Sequence, residues 1–289
     1  MHTTSTGARL SLPEVGDPSV AVDQPTMFEP YGAATDVDVL PAYLPVPGMG
    51  VLPANAFVIH AEQPVLVDTG PGGLAPGAFE QALRSVIDPG QLRWLWLTHT
   101  DPDHVGALGW LLDAAPDLRV VTTYLAVGKL GLHQPVPLDR CYFANPGDTV
   151  HVGDRKLLAV APPTFDAPET TALYDTRTTT LFSADMFGAL MAAPAADAAD
   201  LAGSDLEEGL IRWATIDAPW VHRVDRSVFA HELDRLRALA PRHVLSSHLP
   251  PATGAVDRLV DLVARVPDAD LWVGPDQAAL DAILAQTRT

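Results

Sequence analysis

The stretch Thr98-His99-Thr100-Asp101-Pro102-Asp103-His104-Val105-Gly106 decides the fold. It follows the apolar residues 92–97, which predict a buried strand. The stretch holds four side chains able to bind metal: His99, Asp101, Asp103 and His104. Histidines and carboxylates gathered where a strand ends are typical of metal or catalytic sites.

The spacing of these side chains lets them converge. In an extended segment residues i, i+2 and i+4 point the same way, so His99, Asp101 and Asp103 would share one face. Pro102 biases the preceding residue away from the helical region and favours this extended form. Asp103 is also predicted as the N-cap of a helix over residues 105–115, with His104 reaching a neighbouring ion.

The run resembles the metal motif of the metallo-β-lactamase fold, His-x-His-x-Asp-His, with Asp101 in place of the second histidine. A carboxylate there is similar to the flavodiiron proteins and related oxygen-binding di-iron proteins, which carry His-x-Glu-x-Asp-His. The resemblance implies an α/β fold, a four-layer αββα sandwich of the metallo-β-lactamase type.

Three other segments share this resemblance. Val65-Leu-Val-Asp-Thr-Gly70 resembles the first motif of the fold, which implies that Asp68 orients the ligand loop without binding metal itself. Leu181-Phe-Ser-Ala-Asp-Met-Phe-Gly188 is similar to the flavodiiron segment that supplies the metal-bridging aspartate, here Asp185. Ser247-His-Leu-Pro250 is similar to Ser-His-Gly-Pro and implies His248 as the last ligand.

The loop Asp166-Ala-Pro-Glu169 departs from the family, which has a histidine where Asp166 stands. Either Asp166 binds the metal in place of this histidine, or that metal is bound weakly or is absent. Ligation is favoured because Pro168 is retained and a carboxylate suits a hard cation. The alternative is that Asp166 bonds the backbone N–H groups of its own loop.

The resemblance implies ligands for two metal ions. The first would bind His99, Asp101, Asp166 and Asp185, and the second Asp103, His104, Asp185 and His248. Oxygen-rich ligands favour iron, with zinc or manganese possible. The implied function is a non-haem di-iron centre that binds or reduces O₂ or NO.

Electrons would come from a separate redox partner, because no flavodoxin-like domain is expected after His248. The alternative is a zinc hydrolase that attacks an ester, thioester, lactone or phosphoester with a metal-bridging hydroxide. A third possibility, favoured if Asp166 leaves one metal site empty, is a degenerate fold used only for binding. Trp220 and His222 are candidate pocket residues, although a packed or exposed role is favoured for His222.

Composition excludes several other functions. The 289 residues have a formal net charge of −18, which argues against nucleic acid and anionic membrane surfaces as partners. No apolar run approaches the roughly 20 residues that span a bilayer, and no signal peptide is evident. The single Cys141 fits the cytoplasm. The sequence leaves open whether the protein forms a homodimer.

Residues 1–30 are predicted to form an N-terminal arm, and residues 31–289 a single domain. Short apolar runs bounded by turn residues predict strands. They include Val37–Leu40, Val65–Val67, Cys141–Phe143 and Lys156–Val160. Helices are expected at residues 205–214 and 226–239, and residues 189–200 are expected to form a mobile flap over the site.

Overall fold

A computed structural model describes residues 10–286 of the chain. Its strands are β1 (Thr26–Met27), β2 (Tyr31–Ala34), β3 (Val37–Leu40), β4 (Ala42–Val46), β5 (Gly50–Pro53), β6 (Ala56–Ile59), β7 (Val65–Val67), β8 (Trp94–Trp96), β9 (Arg119–Thr122), β10 (Cys141–Phe143), β11 (Thr149–His151), β12 (Lys156–Val160), β13 (Ala172–Asp175), β14 (Thr180–Phe182), β15 (His243–Leu245) and β16 (Ala252–Thr253). Its α-helices are α1 (Ala78–Val86), α2 (Leu108–Ala114), α3 (Tyr124–Leu130), α4 (Gly203–Asp217), α5 (Arg226–Ala238), α6 (Val256–Arg265) and α7 (Gln277–Gln286). The four strands named from the sequence occur within the predicted limits.

Two large sheets form the centre of the fold. One has seven strands in the order β10-β9-β8-β7-β6-β3-β2, and the other has six in the order β11-β12-β13-β14-β15-β16. A small third sheet joins β1, β4 and β5. Strands β7, β8 and β9 run parallel to one another, as do β14 and β15. The strands of each group therefore end at the same edge of their sheet.

Alternate side chains of a strand enter different layers, as the period of two requires. In β7, Val65 and Val67 pack between the two large sheets, whereas Leu66 packs with helices α1 and α2. In β14, Phe182 lies between the sheets and Leu181 packs with helices α4, α5 and α6. The layers are therefore helix, sheet, sheet, helix, and the predicted four-layer αββα sandwich is confirmed.

The segment after His99 turns earlier than the sequence predicted. The backbone N–H of His104 donates to the carbonyl of Asp101 at 2.9 Å, so residues 101–104 form a turn rather than an extended run. Proline at the second position of a turn favours this geometry. Helix α2 begins only at Leu108 with Ala107 as its N-cap, so the prediction that Asp103 caps this helix is wrong.

The N-terminal region contacts the sandwich. The Gln81 side chain exchanges hydrogen bonds with the backbone of Leu10 at 2.7 and 2.6 Å, and β1 pairs with β4. The division into an arm of residues 1–30 and a domain of residues 31–289 stays a prediction, and residues 1–9 lie outside the described part of the chain.

The segment predicted as a mobile flap is packed. Met191 and Val51 exchange backbone hydrogen bonds at 2.8 and 2.9 Å, and the Tyr43 hydroxyl donates to the Ala195 carbonyl at 2.7 Å. This close approach requires Gly50, because a Cβ there would lie 2.1 Å from the Met191 carbonyl oxygen. The segment is therefore held against β5.

Within residues 10–286, no helix has both the length and the apolar character needed to cross a bilayer.

Candidate metal centre

The predicted ligands, and Asp68 that is predicted to orient them, lie in loops that follow strands of both large sheets. Asp68 follows β7 and His99 follows β8, in the seven-stranded sheet. Asp185 follows β14 and His248 follows β15, in the six-stranded sheet. Since each pair of strands is parallel, each pair of loops lies at the same edge of its sheet, and the two edges meet at the site.

Asp185 lies at the centre of this cluster. Its Oδ2 lies 3.1 Å from His99 Nε2, and its Oδ1 lies 3.1 Å from His104 Nε2 and 3.2 Å from His248 Nε2. One oxygen therefore faces one histidine and the other oxygen faces two. This is the arrangement that a carboxylate bridging two ions requires.

The side chains predicted for the second metal form one group. Asp103 Oδ2 lies 3.6 Å from His104 Nε2 and 3.4 Å from His248 Nε2. The ligand atoms of Asp103, His104 and His248 all lie within 4.8 Å of one another. Together with Asp185 Oδ1 they surround a single small space.

The side chains predicted for the first metal form a second group. The ligand atoms of His99, Asp101 and Asp166 lie within 4.8 Å of one another, and His99 Nε2 is 3.9 Å from Asp166 Oδ1. Among the described residues, no backbone N–H bonds the Asp166 carboxylate, which is the contact that the alternative role required. The position of Asp166 therefore favours metal binding.

Contacts outside the cluster orient the imidazoles. Asp68 Oδ2 lies 2.8 Å from His104 Nδ1, and Asp68 is itself fixed by the N–H and hydroxyl of Thr98, each at 2.8 Å. His248 Nδ1 donates to the Pro53 carbonyl at 2.6 Å. Both contacts place the proton on Nδ1, so Nε2 of each ring can bind a metal.

Burial and neighbouring charges shift the pKa values of the side chains in the metal-free site. Burial alone would raise the pKa of Asp185, but His99, His104 and His248 hold this pKa well below its usual range. Burial alone would lower the pKa of His248, but the carboxylates of Asp185 and Asp103 raise it to about 9. Burial and the charge of Asp185 raise the pKa of Asp166 to about 6.

Buried ligand atoms test whether the residues fit a metal. Nε2 of His99, Nε2 of His104 and Oδ1 of Asp185 are buried and make no hydrogen bond within the described part of the chain. A buried polar atom without a partner costs roughly 1–3 kcal/mol. Metal coordination would satisfy all three, so the side chains fit a pair of cations.

The sequence did not predict a role for Lys129 or Glu169. The Glu169 carboxylate accepts hydrogen bonds from Lys129 and from the Thr100 hydroxyl, the latter at 2.8 Å. Burial would raise the pKa of Glu169, but these hydrogen bonds lower it. Lys129 Nζ also lies 4.0 Å from Asp101 Oδ1. The available signals were weak: Glu169 ends the loop that departs from the family, and the chain has only two lysines.

Asp217, the last residue of α4, was missed entirely. Its carboxylate lies within 4.8 Å of those of Asp166 and Asp185. Burial and the charge of Asp185 raise the pKa of Asp217 to about 8. The helix was predicted to end at residue 214, three residues too early, so no feature of the sequence placed Asp217 at the site.

The predicted pocket residues lie in a short 3₁₀ turn, Pro219–Arg223. The Trp220 indole donates to the Phe165 carbonyl at 2.7 Å, and their rings lie 4.8 Å apart, so Trp220 supports the loop that bears Asp166. His222 is half-buried. Among the described residues, no hydrogen bond, ion pair or ring contact joins His222 to a predicted ligand.

A family model described as ODP family beta lactamase matches residues 52–230, more than half of the chain. The chain belongs to this family. The matched residues of this ODP-family chain include most of the cluster, from Asp68 to Asp217, with His248 beyond the matched range. The resemblance that the motifs indicated is thereby confirmed.

Curated relatives match part of the ODP-family chain. A diflavin flavoprotein of Thermosynechococcus vestitus is 35% identical over 138 residues, which cover 47% of this chain and 24% of the relative. An anaerobic nitric oxide reductase flavorubredoxin of Salmonella typhi is 33% identical over 135 residues, which cover 46% of this chain and 28% of the relative. The aligned part is thus about a quarter of the length of these relatives.

Solved structures support the fold of the ODP-family chain. The rubredoxin oxygen:oxidoreductase of Desulfovibrio gigas superposes with a TM-score of 0.71 at 20% identity, covering 83% of this chain and 61% of that one. The flavodiiron protein of Giardia intestinalis gives a TM-score of 0.69 at 16% identity, covering 84% of this chain and 60% of that one. Both likenesses confirm the metallo-β-lactamase type of sandwich.

Proposed function

We propose that this chain holds two iron ions and uses them to bind or reduce O₂ or NO, with electrons from a separate donor. The observation that carries the proposal is the position of Asp185, whose two oxygens face two different groups of ligands. The names of the relatives, an anaerobic nitric oxide reductase and an oxygen:oxidoreductase, support these two gases as substrates.

The ligand types support iron. Each group contains carboxylates, and the first group has only one imidazole, from His99. Oxygen ligands suit iron or manganese better than zinc. The first ion would be held by His99, Asp101, Asp166 and Asp185, and the second by Asp103, His104, Asp185 and His248.

When bound, two adjacent iron ions would supply the site for a diatomic gas and accept electrons for its reduction. The chain itself orients the ligands, through Asp68 and the Pro53 carbonyl, and buries four of them: His99, His104, Asp185 and His248. Reduction also consumes electrons that carboxylates and imidazoles cannot supply. The proposal therefore includes a redox partner.

Two measurements test the proposal. Protein purified without added metal should contain two iron ions per chain by elemental analysis. After anaerobic loading with Fe²⁺ and chemical reduction, it should consume O₂ or NO, whereas Asp185→Asn should not. Asp113→Asn, which changes an exposed aspartate on α2, is the control and should behave like the wild type.

A colourless zinc protein that hydrolyses esters would overturn the proposal in favour of the hydrolase alternative. A protein that binds neither metal would overturn both. The relatives named above bear the names of reductases and flavoproteins, so we propose the redox function alone.

A further inference from the structure

We propose that Asp217 is a further ligand of the first metal, so that one imidazole and four carboxylates hold this ion. The inference rests on the proposed function, because it assumes that the cluster binds metal. It adds a ligand that the sequence motifs do not contain, on a helix far along the chain from all of them.

The position of Asp217 supports this role. Asp217 ends helix α4, and one of its carboxylate oxygens lies within 4.8 Å of an oxygen of Asp166 and an oxygen of Asp185. No donor among the described residues hydrogen-bonds the Asp217 carboxylate. Its carboxylate therefore faces two others without a hydrogen-bond donor among the described residues.

Three unfavourable effects act on this carboxylate. It lies at the negative end of a helix dipole, where an anion is destabilising. It faces two like charges, and it is largely withdrawn from water. A cation between Asp166, Asp185 and Asp217 would reverse all three effects.

An independent observation indicates a ligand in this space. His99 Nε2 is fully buried and makes no hydrogen bond within the described chain, and it lies 3.1 Å from Asp185 Oδ2 and 3.9 Å from Asp166 Oδ1. This buried imidazole nitrogen makes no hydrogen bond, although it lies beside the two carboxylates that Asp217 also faces. A metal there would satisfy the nitrogen and neutralise the carboxylates together.

Packing of α4 keeps Asp217 in place. Leu206, Leu210 and Ala214 are buried in the core beneath the six-stranded sheet. Gly209 allows the helix to touch the backbone of Leu190, since a Cβ at this position would lie 2.1 Å from the Leu190 carbonyl oxygen. The helix cannot shift without disturbing these contacts, so Asp217 is presented to the site by a fixed element.

The additional carboxylate affects which metal is bound. A site with four carboxylates and one imidazole favours hard cations, and the extra negative charge favours a higher oxidation state. Asp217 would thus compensate for the histidine that Asp166 replaces, by increasing charge rather than by restoring a nitrogen ligand. We expect the first site to prefer iron over zinc more strongly because Asp217 is present.

The test compares Asp217→Asn with the wild type in anaerobic titrations with Fe²⁺ and, separately, with Zn²⁺. Asparagine keeps the shape of the side chain and removes its charge. We expect one of the two Fe²⁺ sites to weaken at least tenfold, the other to change little, and the preference for iron over zinc at the weakened site to fall. Asp113→Asn is the matched control, because Asp113 is an exposed aspartate in the last turn of α2.

A folding defect is excluded by the thermal unfolding of the metal-free proteins. The melting temperature of metal-free Asp217→Asn should not be lower than that of the wild type, because asparagine keeps the shape of the side chain and cannot carry the charge that Asp166 and Asp185 would repel. If the variant binds two Fe²⁺ with wild-type affinities, the inference is overturned and the proposed function stands. If the wild type binds no metal, both are overturned.

Discussion

Asp185 faces both predicted metal positions with a single side chain, and it is almost completely buried. Replacement by asparagine removes the charge shared by the two positions and leaves His99, His104 and His248 without their common counter-charge. We therefore expect Asp185→Asn to lose both metals. Elemental analysis after gel filtration measures the loss, and retention of two metals per chain would refute the bridging role.

Asp166 stands where the resemblance places a histidine. Because imidazole is a better ligand for zinc than carboxylate is, we expect Asp166→His to bind zinc about tenfold or more tightly than the wild type. Competition with a coloured zinc chelator measures the affinity. Asp117→His adds a histidine at an exposed position and controls for surface binding. Unchanged metal selectivity in Asp166→His would count against ligation at residue 166.

Most of the proposed ligands were identified because they lie in short motifs that resemble those of the family. His99, Asp185 and His248 follow β8, β14 and β15, but for Asp185 and His248 it was the resemblance that singled them out. Asp217 could not be found in this way. Its position at the site depends on how α4 packs on the sheet, and this packing joins residues distant in sequence.

The turn after β14 is an element under close steric constraint. A Cβ at Gly188 would lie 2.6 Å from Trp213 Cδ1 and 2.7 Å from His248 Cβ. Two residues of the same turn, Ala184 and Phe187, have positive φ angles of 52° and 73°. Non-glycine residues adopt such angles at a cost of order 1–3 kcal/mol, often at functional sites. The turn therefore places Asp185 through an unfavourable backbone conformation.

Gly188→Ala should displace His248 or Trp213. We expect a loss of about 1–3 kcal/mol in the free energy of unfolding, as for overpacked cores, and weaker binding at the second metal site. Urea denaturation and metal titration measure the two effects. Gly128→Ala in α3 is the control, since a Cβ there meets no atom within 4 Å. A stable variant with normal metal binding would show that the turn adapts.

Element limits were predictable where they depend on local chemistry. The runs that became β3, β7, β10 and β12 are bounded by turn residues, and their limits were predicted correctly. The start of α2 was predicted incorrectly, because the turn at Pro102 and the contact of Gly106 with Pro71 precede the helix. A Cβ at Gly106 would lie 2.3 Å from the Pro71 carbonyl carbon, so this backbone contact is a tertiary constraint.

At the scale of the whole molecule, metal binding should be linked to pH. His248 has its pKa raised from 6.5 to about 9 in the metal-free fold, and Asp217 has its pKa raised from 3.8 to about 8. Groups whose pKa is higher in the folded state stabilise it at low pH, and this stabilisation is lost as the pH rises through the folded value. If both groups bind metal as proposed, they release these protons when the metal binds.

We therefore expect the metal-free protein to melt at a lower temperature at pH 9 than at pH 6.5, and the increase in melting temperature on metal loading to be larger at pH 9. Differential scanning fluorimetry of chelated and loaded protein at both values measures the change. Calorimetric titration in buffers of different ionisation enthalpy would count the protons released. An equal increase at both pH values would contradict this linkage.

The fold as a whole was identified from four short motifs, because each motif resembles a segment of the family and lies where a strand ends. The small sheet of β1, β4 and β5 was not predicted. It contributes the Pro53 carbonyl that bonds His248, so a region without motif residues helps to orient a proposed ligand. Such support depends on contacts that only the folded chain makes.

The seven-stranded sheet contributes His99, Asp101, Asp103 and His104, and the six-stranded sheet contributes Asp166, Asp185 and His248. Ions bound between them would cross-link two halves of the molecule, in addition to the apolar core between the sheets and hydrogen bonds such as that from the Thr171 N–H to the Thr98 carbonyl. Chelation should then speed amide hydrogen exchange in the loops at both strand edges simultaneously, while the helices on the outer faces exchange as before. The bound ions would thus hold the two sheets together reversibly.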